Sequence, residues 1–171
     1  VFAENGLTHN PDKTYEFDLK RPEPKKFEYL GYRFLVQPGQ CQIKASSSKI
    51  LKYKNRMNAA FEDYWKNCST DSRRAYRVLV SRIKFLTGNT RLSNSKSRAA
   101  TGIYYNNSIA NDLSSFEMLD RLLKKRVAMI KRASLRKRLK TYKFTEGFKT
   151  RRFHNFNSRE LKTIVKAWKY E

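Results

Sequence analysis

From residue 46 onward the apolar positions recur at helical spacing, whereas before it they gather in short aromatic runs. Ile50, Leu51, Met57, Phe61, Tyr64 and Trp65 form one stripe, with Lys49, Lys52, Lys54 and Arg56 on other faces. That pattern predicts a long first helix opening in the Ser46-Ser-Ser-Lys stretch, with Ser47 or Ser48 as N-cap. Tyr76, Leu79, Val80, Ile83 and Leu86 recur at i, i+3, i+4 and i+7, which predicts a second helix that Gly88 ends. Arg73, Arg74, Arg77, Arg82 and Lys84 are expected on its outer surface. A third helix is predicted from about Leu113 through Ile130, with Leu119, Leu123 and Val127 inward. Leu135, Leu139 and Tyr142 change phase, so either this helix bends or another begins, and Gly147 predicts an interruption after it. Asn157-Ser-Arg-Glu160 has the form of a capping box and launches a terminal helix whose inward side is Leu161, Ile164, Val165 and Trp168.

Residues 27–36 read as one strand interrupted by Gly31, with Phe27, Tyr29 and Leu35 as its apolar partners; a glycine inside a strand marks a bulge or a close backbone approach. Pro38-Gly39 is a turn and residues 40–44 a returning strand. Residues 14–17 are expected to be extended, residues 18–26 a loop held non-helical by Pro22 and Pro24, and residues 89–100 a polar, basic loop. Val1-Phe-Ala-Glu-Asn has the pattern of a last helical turn closed by Gly6, with no cap before it, and implies an upstream continuation. The fold class that follows is mainly α with a small β element.

Charge changes this picture more than composition does. Thirty-eight Lys and Arg against fifteen Asp and Glu leave a formal +23, an excess that self-repels in a free monomer and calls for a polyanionic partner. A hydrophobic content of 39% still suffices for a core. The most apolar run, residues 78–86, is broken by Arg82 and Lys84 and is too short to span a bilayer, so no membrane partner is expected. Cys41 and Cys68 lack a CxxC spacing and read as reduced thiols of a cytoplasmic protein, with a disulfide between them left open by the sequence. His9 and His154 stand apart from any Cys or carboxylate cluster, so no zinc site is inferred.

Two stretches near the start carry a resemblance. Gly6-Leu-Thr-His-Asn-Pro-Asp-Lys-Thr14 resembles motif D of the reverse transcriptase palm, and Phe27-Glu-Tyr-Leu-Gly-Tyr-Arg-Phe34 resembles motif E, the primer grip. Retroviral, retron and group II intron enzymes carry versions of this pair, and residues 153–169 are similar to the ends of bacterial reverse transcriptases associated with antiphage defence. The resemblance implies that residues 1–44 end a polymerase palm and residues 45–171 form a basic helical thumb. It further implies RNA-templated DNA synthesis by a longer protein, with Mg2+ held by aspartates upstream of this chain. The partners would be an RNA template, a DNA or RNA primer, the upstream palm and fingers, and in some systems a structured non-coding RNA. This chain alone is expected to be inactive.

Under that resemblance Lys13 is the catalytic candidate, donating a proton to the departing pyrophosphate; phosphoryl transfer rests on positioning and charge stabilisation, which a mobile ammonium serves. Taken alone, a lysine after Pro-Asp is a solvated turn residue, and Asp12 shapes the turn. Tyr29, Leu30, Gly31 and Tyr32 are the primer-grip candidates, because a primer 3′ end must be held closely and a tight hairpin with Gly31 lets backbone approach it; the plainer reading is a core strand. Lys124, Lys125, Arg126, Lys131, Arg132, Arg136, Lys137 and Arg138, followed by Lys140, Lys149, Arg151 and Arg152, are the nucleic-acid-binding candidates. Phosphate contacts of this kind are independent of sequence and sensitive to salt. Tyr104 and Tyr105 either stack on a base or pack beneath the loop beside Asn106 and Asn107. A non-catalytic, basic RNA-binding ribonucleoprotein subunit is the other reading of the whole chain.

Overall fold

The computed structural model describes residues 23–91 and 99–168, together with Gly6, Thr8 and Asp18. Three antiparallel strands, β1 (Lys25–Tyr29), β2 (Tyr32–Gln37) and β3 (Gln40–Ala45), form a meander in chain order. The helical body follows as α1 (Ser47–Asn67), α2 (Ser72–Thr87), α3 (Ser114–Ala128), α4 (Ala133–Leu139), α5 (Phe144–Lys149) and α6 (Ser158–Val165). Between α2 and α3 lie β4 (Asn89–Arg91) and β5 (Ala100–Gly102), a short antiparallel pair, and one 3-10 turn, Tyr105–Asn107; a second, Lys166–Trp168, closes the described chain. The fold is thus mainly helical with small β elements. Apart from Gly6 and Thr8, the motif D-like stretch, Lys13 included, lies outside the described residues, as do residues 92–98.

The long strand expected over residues 27–36 is instead two strands and a turn. Tyr29 pairs with Tyr32, so Leu30 and Gly31 form a two-residue hairpin loop with both at positive φ, 47° and 76°. Positive φ at both central residues is the type I′ geometry, whose twist matches that of the flanking strands. Gly31 therefore reverses the chain rather than bulging it. The register sets Phe27 opposite Phe34, stacked at 4.9 Å, and leaves Leu35 on the other face of the sheet. Tyr29, expected inward, is 63% exposed.

The helix periodicities hold, with corrections at their ends. The N-cap of α1 is Ser46: its backbone is extended, and its hydroxyl accepts from Lys49 N–H at 3.3 Å. The N–H of Ser46 itself donates to Gly31 O at 3.0 Å, and this bond sets the helix start ahead of Ser47 and Ser48. Leu51, expected inward, is exposed, while Met57, Phe61 and Tyr64 are buried. Asp71 caps α2, and Asn157 with Glu160 forms the capping box of α6. The phase change after α3 is a true break, since α4 is a separate helix carrying Leu135 and Leu139 inward. The core runs through Phe61, Leu79, Ile83, Phe116, Leu119 and Phe144, each worth about 2–3 kcal/mol of burial.

Polar joints close the body where helices end. Arg82, expected on the surface, is 3% exposed. It pairs with Asp63 of α1 and donates from Nε to Ile164 O at 3.2 Å and from a terminal nitrogen to Thr163 O at 3.3 Å, satisfying carbonyls at the end of α6. Asp120 accepts from Phe144 N–H at 2.6 Å and from Thr145 N–H at 3.2 Å, so a carboxylate on α3 caps α5. Asn89 is buried, contrary to its expected place in a loop. Its Oδ1 accepts from Tyr104 N–H at 2.9 Å, and its Nδ2 donates to Arg152 O at 3.2 Å. Gly147 lies inside α5 and does not interrupt it; a Cβ there would overlap the Thr87 carbonyl oxygen, so α5 meets the end of α2 backbone to backbone.

His154 sits at this joint, with Tyr142 and Phe156 around its ring and its Nε2 buried without a hydrogen-bond partner. Burial first, and then the neighbouring cations Lys84, Arg152 and Arg138, hold its pKa below the usual 6.5. The folded imidazole refuses a proton that the unfolded chain accepts. Stability is therefore full above pH 6.5 and falls as the pH drops from there toward the folded-state value. In urea denaturation series at neutral and mildly acidic pH, His154→Gln should flatten this loss, while an unchanged slope would place its origin elsewhere. Gly147→Ala should cost about 3 kcal/mol or more, against about 1 kcal/mol for Gly39→Ala, where φ is +71° and no atom obstructs a side chain. Equal urea midpoints for the two variants would contradict the close contact.

Candidate nucleic-acid interface

The hairpin tip stands on the N-terminus of α1. Besides the Ser46 N–H bond to Gly31 O, the Lys49 stem lies against the Gly31 Cα, where an added Cβ would come within 2.5 Å of Lys49 Cε. The Lys49 ammonium sits 3.8 Å above the Tyr32 ring and donates to Asn106 O at 3.0 Å, and the Tyr32 hydroxyl donates to the same oxygen at 3.1 Å. Burial lowers the Lys49 pKa, and burial raises that of Tyr32 against the opposing effect of its bond to the Ile109 backbone. Of the four grip candidates, Gly31 and Tyr32 are thus held by the helical body. Tyr29 and Leu30 project into solvent, Leu30 with 75% of its surface exposed.

Leu30 occupies a backbone position that Asn, Asp or Gly would take at less cost. A leucine there, open to water, gains neither relaxed backbone nor burial. Such a strained, exposed residue on a rigid support is a candidate for contact with a ligand.

The cationic candidates fall into two groups. Lys124, Lys125, Lys131 and Lys137 are exposed, and among the described residues their ammonium groups have no hydrogen-bond or ion-pair partner. Arg126, Arg132, Arg136 and Arg138 lean on protein groups, although Arg132 and Arg138 are still exposed. Arg126 instead donates from Nε to Asn58 Oδ1 at 3.2 Å and lies over the Trp65 ring. Arg132 donates to Ser72 Oγ at 3.0 Å and covers the Tyr76 ring, Arg136 donates to Ile130 O at 3.4 Å, and Arg138 lies over Tyr142. At about 100° per residue, Arg126 is about 160° around α3 from Lys124, on the flank that meets α1. Arg121, absent from the sequence-based set, falls between Lys124 and Lys125 on the exposed arc. The period that places Leu119, Leu123 and Val127 inward could have found it.

Tyr104 packs on Phe148, as its plainer reading expected, whereas Tyr105 is exposed. Cys41 and Cys68 are both free thiols. Among the described residues no group of three His, Cys, Asp or Glu is placed to hold a metal ion, and no helix is long and apolar enough to cross a membrane. Comparison with known proteins gave no match to any protein-family model, curated protein or solved structure.

Gly31→Ala should cost about 1–2 kcal/mol, from left-handed backbone and displacement of the Lys49 stem. In a double-mutant cycle, Lys49→Ala should return the part due to that displacement. Strict additivity of the two variants would show that Lys49 does not constrain the tip.

Proposed function

We propose that this chain is the C-terminal palm and thumb part of a cytoplasmic reverse transcriptase, gripping the primer and the template–primer duplex during RNA-templated DNA synthesis. The Leu30-Gly31 tip carries the reading: a strained, solvent-facing hairpin loop, tied by its own backbone to the first helix of a basic helical body. In this reading the tip holds the primer end. Arg121, Lys124 and Lys125 contact phosphates of the trailing duplex. Lys13, beyond the described residues, serves the leaving pyrophosphate. The described residues do not fit a catalytic Mg2+, whose ligands belong to the upstream palm in this reading, so no step is assigned to it.

A cleaving iron chelate attached at Leu30→Cys, with Cys41 and Cys68 replaced by serine, tests the grip on a recessed-primer duplex. Cleavage should concentrate at the primer 3′ end. Uniform cleavage along the duplex would remove the grip and leave a general, non-catalytic RNA-binding protein. Neutralising Arg121, Lys124 and Lys125 should lower duplex affinity and reduce the salt slope by about one for each phosphate that no longer meets a cation, whereas Arg126→Ala should leave that slope unchanged.

A further inference from the structure

A second surface has a different character from the lysine face of α3. The Arg91 guanidinium, at the end of β4, stands 5.8 Å from the centre of the Phe153 ring, and Phe153 lies 5.6 Å from Tyr105. Tyr105 meets Tyr104 edge-on at 5.3 Å, and the Arg151 guanidinium covers Tyr104 at 4.4 Å. These side chains form one continuous run in which two arginines bracket three rings. Tyr105 is 42% and Phe153 38% exposed, so the middle of the run is open to solvent.

Arg151 is placed there at a cost. It follows the C-cap of α5 at φ 49°, and the bonds Arg151 N–H to Phe148 O at 3.3 Å and Arg152 N–H to Gly147 O at 3.2 Å complete a Schellman motif. Glycine is the relaxed residue at that position. An arginine there strains the backbone and sets its guanidinium plane on Tyr104. Helix termination alone does not call for it.

We propose that Tyr105 and Phe153, flanked by Arg91 and Arg151, bind an unpaired stretch of nucleic acid, its bases stacking on the rings and its phosphates meeting the guanidiniums. Every base offers a π-face, and arginine planes extend a stack as aromatic rings do, so the surface suits a single strand of any sequence. An acidic peptide would use the arginines and leave the rings idle. A duplex hides its base faces and would use the cations alone. The platform adjoins the hairpin tip through Asn106, whose carbonyl holds Lys49 and Tyr32, yet the proposal does not depend on the primer grip.

Fluorescence anisotropy with labelled oligouridine of about a dozen nucleotides, compared with an abasic ribose-phosphate oligomer of equal length and charge, tests the platform. The unaltered chain should bind the abasic oligomer at least about tenfold more weakly, the loss expected for one or more stacked bases. Tyr105→Ala and Phe153→Leu should each weaken oligouridine binding about 5- to 150-fold, leaving the salt slope, the abasic affinity and the duplex affinity unchanged. Arg151→Gly should keep or raise the melting temperature while oligouridine binding falls, an outcome that a purely structural Arg151 would not produce. Equal affinity for the two oligomers, or oligouridine binding unaltered in both aromatic variants, overturns the proposal. Because duplex affinity is read in parallel, failure here is distinguishable from failure of the duplex grip.

Discussion

The hydrogen bond from Ser46 N–H to the Gly31 carbonyl ties the hairpin tip to the helical body. It fixes where α1 begins and holds the hairpin tip against it. Lys49, one turn into that helix, then spreads its stem over Gly31 and delivers its ammonium to the Tyr32 ring and the Asn106 carbonyl. The tip is consequently held against the helical body, with the side chain at its apex turned to solvent. Rigid support under an exposed residue is what a contact that positions a ligand requires.

Elsewhere the same chemical device recurs in buried form. A chain with such an excess of positive charge cannot hold its helices together by ion pairing alone, and surface pairs contribute little in any case. Instead, single polar side chains close the backbone ends of distant elements: Arg82 serves the end of α6, Asp120 serves the start of α5, and Asn89 ties β4 to Tyr104 and Arg152. Each such joint substitutes for water that the core excludes, and losing one partner would leave a buried donor or acceptor unmet. Gly147 permits the closest of these approaches by having no side chain to interpose.

Among the described residues two that are not glycine have positive φ, Leu30 at the hairpin tip and Arg151 beside the Tyr105–Phe153 platform. Both stand where glycine would relax the backbone, and both are exposed. Leu30 recovers no burial for that expense, whereas Arg151 gains the face of the Tyr104 ring. Such a local inconsistency is a physical reason to look for ligands there.

The sequence by itself determined α1, α2, α3 and α6 and most of their inward positions, because a 3.6-residue period and a capping box are local properties that neighbouring residues suffice to impose; it left α4 open and did not show α5. It also carried the charge excess and, through the resemblance, the hairpin at Gly31, although the residue pattern over 27–36 read as one strand because pairing across a turn is a relation between two strands. Tertiary structure alone decided which cations are free for a partner. Arg82 and Arg126 are indistinguishable by composition from Lys124 and Arg121, and only the position of α6 and of α1 commits the first two to the protein's own carbonyl and amide oxygens. It likewise decided that Gly147 is a contact and Asn89 a buried joint, since the atoms each must meet belong to segments far away along the chain.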